Sequence, residues 1–139
     1  MRIAAAALVL AWLAALSGYD VRERRLPNLL TLPGACAILL AAAASGRGGP
    51  ALAGAAALTA IYLLVHCTAP AGMGGGDVKL AIGLGALAGC FGVGAWFLAA
   101  LAAPLLTALL AALCGARAVP HGPSMCLATA GAIGLVLGI

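Results

Sequence analysis

The stretch Gly72-Met73-Gly74-Gly75-Gly76-Asp77-Val78-Lys79 decides how this chain is organised, because it places a glycine run and two charges directly before an apolar segment. Glycines carry no side chain, so they allow a positive φ and a close approach by another part of the chain. An acidic group at the mouth of an apolar membrane helix is costly, although a helix N-terminus favours negative charge. Taken alone, Asp77 is equally consistent with a helix cap and with a functional acid.

The composition places the chain in a membrane. Of its 139 residues, 65% are hydrophobic and 7% are charged, whereas a soluble domain carries roughly a quarter charged residues. So few charges cannot cover a surface in water. We therefore expect an all-α polytopic membrane protein of about six transmembrane helices with no soluble domain. Residues 1–139 are expected to form a single membrane-embedded domain.

The charged residues, cysteines and histidines exclude several classes of site. The net charge of +4 comes from scattered residues and the cluster Arg22, Arg24 and Arg25. Nucleic-acid binding would need a basic face interleaved with aromatic residues, so no nucleic-acid partner is expected. Five cysteines in apolar segments, without a C-x-x-C pair, fit neither a disulfide framework nor a zinc site. His66 and His121 stand alone, so we expect structural roles for them and predict no metal and no cofactor.

Turn signals divide the apolar chain into six helices. The first apolar run, residues 3–17, covers only about 23 Å at ~1.5 Å per residue, which leaves open a cleaved signal peptide. Tyr19 extends this run toward the membrane interface and favours a retained first helix. The other helices are expected at residues 27–44, 50–67, 78–90, 95–114 and 124–139.

The basic residues predict the orientation of these helices. Cytoplasmic loops of membrane proteins carry an excess of Lys and Arg. If the loops after helices one, three and five are cytoplasmic, they hold five basic residues, and the opposite side holds only Arg2 and Arg47. The N-terminus then lies outside, and Asp20 and Asp77 lie at the cytoplasmic face. The five residues are Arg22, Arg24, Arg25, Lys79 and Arg117.

Two aspartates at one membrane face suggest acid–base chemistry. Carboxylates placed together cannot both ionise cheaply, so one of them keeps a proton. The ionised group accepts a proton from water and the neutral group donates to a carbonyl oxygen, which is peptide hydrolysis without a metal or covalent intermediate. Glu23 is a rival second acid, but its arginine neighbours favour a solvated ion pair. For Lys79 three roles stay open: it lowers the pKa of a carboxylate, it contacts lipid phosphate, or it only contributes to the excess of basic residues in the cytoplasmic loops.

Three segments of the chain resemble the type IV prepilin peptidases. The glycine run forms a G-x-G-D motif, and residues 73–80 look like the second active-site segment of that family. Residues 20–31 are similar to its first segment, an aspartate followed by basic residues and then Leu26-Pro27-Asn28. Residues 119–128 resemble the stretch that opens the last helix, with His121 where an aromatic residue is more usual. The three segments occur in the family's order and span the chain.

The resemblance implies an intramembrane aspartic endopeptidase of about six helices. Such an enzyme removes the leader peptide of type IV prepilins or pseudopilins at the cytoplasmic face of the bacterial inner membrane. By motif position, Asp20 and Asp77 form the catalytic pair. The remaining motif positions assign an active-site loop to Gly74, Gly75, Gly76 and Lys79, and supporting roles to Pro27 and Asn28.

The resemblance also narrows the branch of the family. The chain looks like the short branch that serves Flp-type, tight-adherence pili, because no segment resembles the cysteine-paired cytoplasmic region linked to N-methylation. We therefore expect peptidase activity without methyltransferase activity. The alternative is a non-catalytic membrane subunit or small transporter of a pilus or secretion assembly. The sequence does not fix the oligomeric state.

Overall fold

The computed structural model describes residues 2–139, and for Arg2 the backbone alone, so the basic side chain expected there lies outside the described residues. Within this range the chain forms six helices and no strand, which confirms the predicted all-α architecture. The helices are α1 Arg2–Glu23, α2 Asn28–Ala44, α3 Gly48–Thr68, α4 Gly75–Cys90, α5 Val93–Cys114 and α6 Gly122–Leu137.

The helices differ in their ability to cross a bilayer. Among residues 2–139, three are long and apolar enough to span it: Ile3–Glu23 of α1, and all of α3 and α5. Helices α2 and α6 are apolar but have 17 and 16 residues, and α4 has 16. At ~1.5 Å per residue these short helices reach about 24–26 Å, less than a hydrocarbon core of ~30 Å. The chain is a multi-pass membrane protein, and thinning of the bilayer can accommodate its short helices.

The first two helices meet differently from the sequence-based expectation. Helix α1 continues to Glu23, so Asp20 lies in its last turns and not in the loop that follows. Pro27 is the extended residue directly before α2, with φ −69° and ψ 133°, and not the first residue inside that helix. The ring therefore lies outside the helix, where its missing N–H removes no helical hydrogen bond.

The predicted active-site loop is shorter than expected. Helix α4 begins at Gly75, so Gly75, Gly76 and Lys79 are helical, and of the predicted loop residues Gly74 alone precedes the helix. The Gly74 N–H donates to Asp77 Oδ2 at 3.3 Å, while the Asp77 N–H donates to the Gly74 carbonyl at 3.1 Å. This reciprocal pair satisfies backbone groups at the helix start and offsets the low helix propensity of the glycines.

The six helices pack as two groups. The α3 group comprises α2, α3 and α4, and the α6 group comprises α1, α5 and α6. Helices α3 and α4 make the most extensive contact in the bundle. Gly54 of α3 meets Gly85 and Gly89 of α4 there, and a Cβ added at Gly85 would lie 2.5 Å from the Gly54 carbonyl oxygen. Small residues thus bring the two backbones together, as they do between other membrane helices.

Apolar side chains fill the seam between the two groups. Leu58 and Leu84 come from the α3 group, Met125 comes from the α6 group, and none of the three is more than 5% exposed. The indole N–H of Trp96 crosses the seam and donates to the Gly54 carbonyl at 3.0 Å. The polar side chains described next lie where this seam reaches one end of the bundle.

Candidate active site

Asp20 is buried at the end of α1 against the start of α6. It is 7% exposed, and its Oδ2 accepts a hydrogen bond from the Gly122 N–H at 2.9 Å. Because Gly122 is the first residue of α6, its N–H has no partner within that helix, and the helix N-terminus favours a negative group. A Cβ at Gly122 would lie 2.6 Å from Asp20 Oδ2, so a side chain there would displace the carboxylate.

Asp77 is buried in the first turn of α4. It is 9% exposed, and its Oδ2 accepts from the Gly74 N–H at 3.3 Å. Each aspartate is therefore bound by the N–H of a glycine at a helix start. Asp20 uses the glycine of another helix, whereas Asp77 uses the glycine that precedes its own.

The two aspartates face each other electrostatically across the seam. The Asp77 carboxyl lies within range of the Asp20 charge, and the buried Tyr62 hydroxyl lies within range of the Asp77 charge. The fold thus brings together the two acids that the sequence paired. Glu23, the rival acid, lies exposed at the end of α1, which agrees with a solvated position.

Lys79 and Asn28 join the α1–α2 segment to α4. The Lys79 Nζ donates to Asn28 Oδ1 at 2.9 Å, so the Asn28 amide oxygen binds a side chain of another helix. Next to this bond, at the start of α4, lies an open cavity of about 500 Å³. Its lining consists of Arg25, Leu26, Pro27, Asn28, Gly75, Gly76 and Lys79.

A chain of hydrogen bonds at this end of the bundle was missed by the sequence analysis. The Tyr62 hydroxyl lies 3.0 Å from His121 Nε2, and His121 Nδ1 lies 2.6 Å from Thr107 Oγ1. Burial lowers the pKa of His121 below its ordinary value of 6.5, which keeps the imidazole neutral. No motif contains Tyr62 or Thr107, since each is a single polar residue in an apolar helix.

His66 makes a similar local connection beside the other aspartate. Its Nδ1 lies 2.7 Å from the carbonyl oxygen of Met73, the residue before Gly74. This bond ties the end of α3 to the segment that leads into α4. Both histidines therefore have hydrogen-bond partners, as the predicted structural role requires.

The polar groups at the centre of the site are the Asp20 and Asp77 carboxylates and the glycine N–H groups that bind them. Within residues 2–139, no three His, Cys, Asp or Glu side chains cluster in a way that would hold a metal ion. The absence of a metal and of a cofactor stays a prediction.

The family of the chain follows from its match to a family model. The model of the type IV leader peptidase family matches residues 7–139. This chain belongs to that family. Membership confirms the resemblance drawn from the three segments and supports a leader peptidase function on prepilin substrates. No curated protein and no solved structure matches the chain.

Proposed function

We propose that this leader peptidase is an intramembrane aspartic endopeptidase in which Asp20 and Asp77 act on the leader peptide of a prepilin. One observation carries the proposal. Two buried carboxyls, one from each helix group, lie at the same end of the seam and interact through their charges. If Asp77 only capped its helix, the burial of a second acid, Asp20, opposite it would have no explanation.

The arrangement suits general acid–base hydrolysis of a peptide bond. Because both carboxyls have lost most of their water and repel each other when ionised, the pair holds one proton between them. The ionised group takes a proton from the attacking water, and the neutral group donates its proton to the scissile carbonyl oxygen. The Gly122 and Gly74 N–H groups occupy the Oδ2 atoms, which leaves each Oδ1 for water and substrate.

The basic residues support a cytoplasmic location for this chemistry. The end of the bundle that holds the aspartates also holds the α1–α2, α3–α4 and α5–α6 connections. Arg47 lies at the other end, where its guanidinium donates to the Cys90 carbonyl at 3.3 Å. By the positive-inside rule, this distribution of basic residues favours a site at the cytoplasmic face of the bacterial inner membrane. The basic residues at the aspartate end are Arg22, Arg24, Arg25, Lys79 and Arg117.

The proposed substrate is an Flp-type prepilin, on the strength of the resemblance to the short branch of the family. Its apolar helix would remain in the bilayer beside the bundle, and its leader would reach the aspartates from the cytoplasm. The open cavity at the start of α4 reaches Gly76, the residue before Asp77, and offers space for the part of the substrate next to the scissile bond. Methyl transfer is not expected, and the mass of the mature pilin N-terminus tests that prediction.

The experiment that tests the function is leader cleavage in membranes. An Flp-type prepilin is co-expressed with the wild-type chain and with Asp20→Asn, Asp77→Asn and Glu23→Gln variants. Glu23→Gln is the matched control, because it neutralises an exposed acid at the end of α1. Cleavage by the wild type and this control, with none by either Asp→Asn variant, supports the proposal.

Two results would contradict this mechanism. Cleavage by all four chains would separate the activity from the aspartates. Normal insertion of a wild-type chain that cleaves no type IV prepilin would favour a non-catalytic membrane subunit or a small transporter.

A further inference from the structure

A histidine lies close to the backbone N–H group that binds each aspartate. Each aspartate accepts a hydrogen bond from the N–H of a glycine at a helix start. In both cases the imidazole of a histidine anchors the residue directly before that glycine, either through that residue's carbonyl or as its own side chain. His66 binds Met73, which precedes Gly74, and His121 itself precedes Gly122. Each of the two histidines therefore connects the residue before one of these glycines to neighbouring helices.

The His66 bond has only one possible direction. A carbonyl oxygen accepts and does not donate, so His66 Nδ1 carries the proton and donates to Met73 at 2.7 Å. His66 belongs to α3, which is packed closely on α4 through its glycines. The bond therefore fixes the connecting segment against a rigid pair of helices, one residue before the N–H that binds Asp77.

The His121 bonds form a chain that ends at a helix carbonyl. Thr107 Oγ1 lies 3.1 Å from the Ala103 carbonyl oxygen, which can only accept its proton. His121 Nδ1 then donates to Thr107, and the unprotonated Nε2 accepts from the Tyr62 hydroxyl. This order satisfies every donor. It ties the start of α6 to both α3 and α5, one residue before the N–H that binds Asp20.

From this shared arrangement we infer that His66 and His121 are positioning residues of the peptidase, which hold the Gly74 and Gly122 N–H groups in place on Asp77 and Asp20. Neither imidazole is assigned a contact with substrate. This inference rests on the proposed function for its effect on turnover, whereas the hydrogen bonds themselves can be tested without any substrate.

The turnover test compares variants that remove the imidazole bonds with variants that restore one. His66→Phe and His121→Phe keep a ring but lose the bonds. His66→Asn retains an N–H donor at the position of Nδ1, and His121→Gln retains an acceptor for Tyr62 at the position of Nε2. Cys67→Phe, at an exposed neighbour of His66, controls for an added ring. Purified enzyme in detergent is assayed with a prepilin peptide that spans the leader and the apolar helix.

The expected result is a change in kcat with little change in KM. Each Phe variant is expected to lower kcat about tenfold or more, the equivalent of one hydrogen bond at the reacting group. Asn at 66 and Gln at 121 are expected to recover most of this loss, and Cys67→Phe to leave kcat unchanged. Phe variants that cleave at the wild-type rate, or Asn and Gln variants as impaired as Phe, would overturn the inference, because the histidines would then only fill space.

A second measurement decides the inference independently of activity. Nitrogen-15 NMR of the histidine side chains reports which ring nitrogen carries the proton. The chain has two histidines, so the signals that remain in the His121→Gln spectrum belong to His66 and those that disappear belong to His121. We expect both imidazoles to be protonated at Nδ1, and Tyr62→Phe to shift the Nε2 resonance of His121 alone. A proton on Nε2 of either ring would overturn the inference, whether or not the wild type cleaves a prepilin. An inactive wild type with the expected spectrum would instead place the failure in the proposed function.

Discussion

Gly122→Ala is the single substitution that tests the site most directly. The added Cβ would lie 2.6 Å from Asp20 Oδ2, 3.0 Å from its Cγ and 3.2 Å from its Cβ. Real Cβ contacts are never as short as the first of these, so the Asp20 side chain and the start of α6 must move apart. The buried hydrogen bond of 2.9 Å from the Gly122 N–H to Asp20 is then lost or lengthened.

The size of the effect follows from that hydrogen bond. A hydrogen bond to a charged group contributes about 1.5–3 kcal/mol. If this stabilisation is needed in the transition state, its loss lowers the cleavage rate by roughly ten- to a hundredfold, since ~1.4 kcal/mol is a factor of ten. Leader cleavage by detergent-purified enzyme at saturating prepilin peptide measures the change.

Gly131→Ala is the matched control within the same helix. A Cβ at Gly131 would meet nothing within 4 Å, and alanine is favoured over glycine inside a helix by roughly 0.5–1 kcal/mol. We expect this variant to cleave at the wild-type rate with equal or higher thermal stability. A Gly122→Ala enzyme that cleaves as fast as Gly131→Ala would refute the placement of Asp20 against α6.

Three further predictions concern packing and pH. Gly85→Ala is expected to destabilise the folded protein by about 1–3 kcal/mol in detergent denaturation, because its Cβ would lie 2.5 Å from the Gly54 carbonyl; an unchanged midpoint would contradict the close α3–α4 contact. Trp12→Phe removes the 2.8 Å bond to the Leu30 carbonyl and should cost about 1 kcal/mol in the same assay. Because burial lowers the pKa of His121, the unfolded chain binds a proton there that the folded chain does not. The stability of the wild type should therefore fall more steeply than that of His121→Gln between about pH 7 and pH 5. An equal decrease in the melting temperatures of the two proteins over this pH range would contradict this.

Local patterns in the sequence were sufficient for the helices and for the choice of the two acids that the fold brings together. Runs of Ala and Leu separated by Gly and Pro gave all six helices, since chain breakers and apolar length act within a few residues. Asp20 and Asp77 could be paired because the chain has only three acidic residues. The predicted helix ends, the distribution of basic residues and the motifs all assigned these two aspartates to the same membrane face. The family match over residues 7–139 agrees with the motifs.

Contacts between distant parts of the chain could not be predicted in this way. Tyr62 and His121 are separated by 59 positions, and Thr107 is an ordinary helix residue until the fold places it beside His121. The helical start at Gly75 was missed because glycine propensity argues against it, whereas the reciprocal bonds between Gly74 and Asp77 decide it. Such bonds depend on atomic positions that residue types alone do not specify.

The close contact of α3 with α4 has a mechanical consequence for the proposed dyad. Backbones that touch through glycine have little side chain between them to deform, so these two helices should behave as one stiff body. Asp77, Tyr62 and His66 all belong to this pair of helices. Asp20 belongs to the opposite group, where it accepts a hydrogen bond from the start of α6. A motion that opens the proposed site to a leader peptide then has to occur along the seam, and it would move the Asp20 carboxyl away from the Asp77 carboxyl.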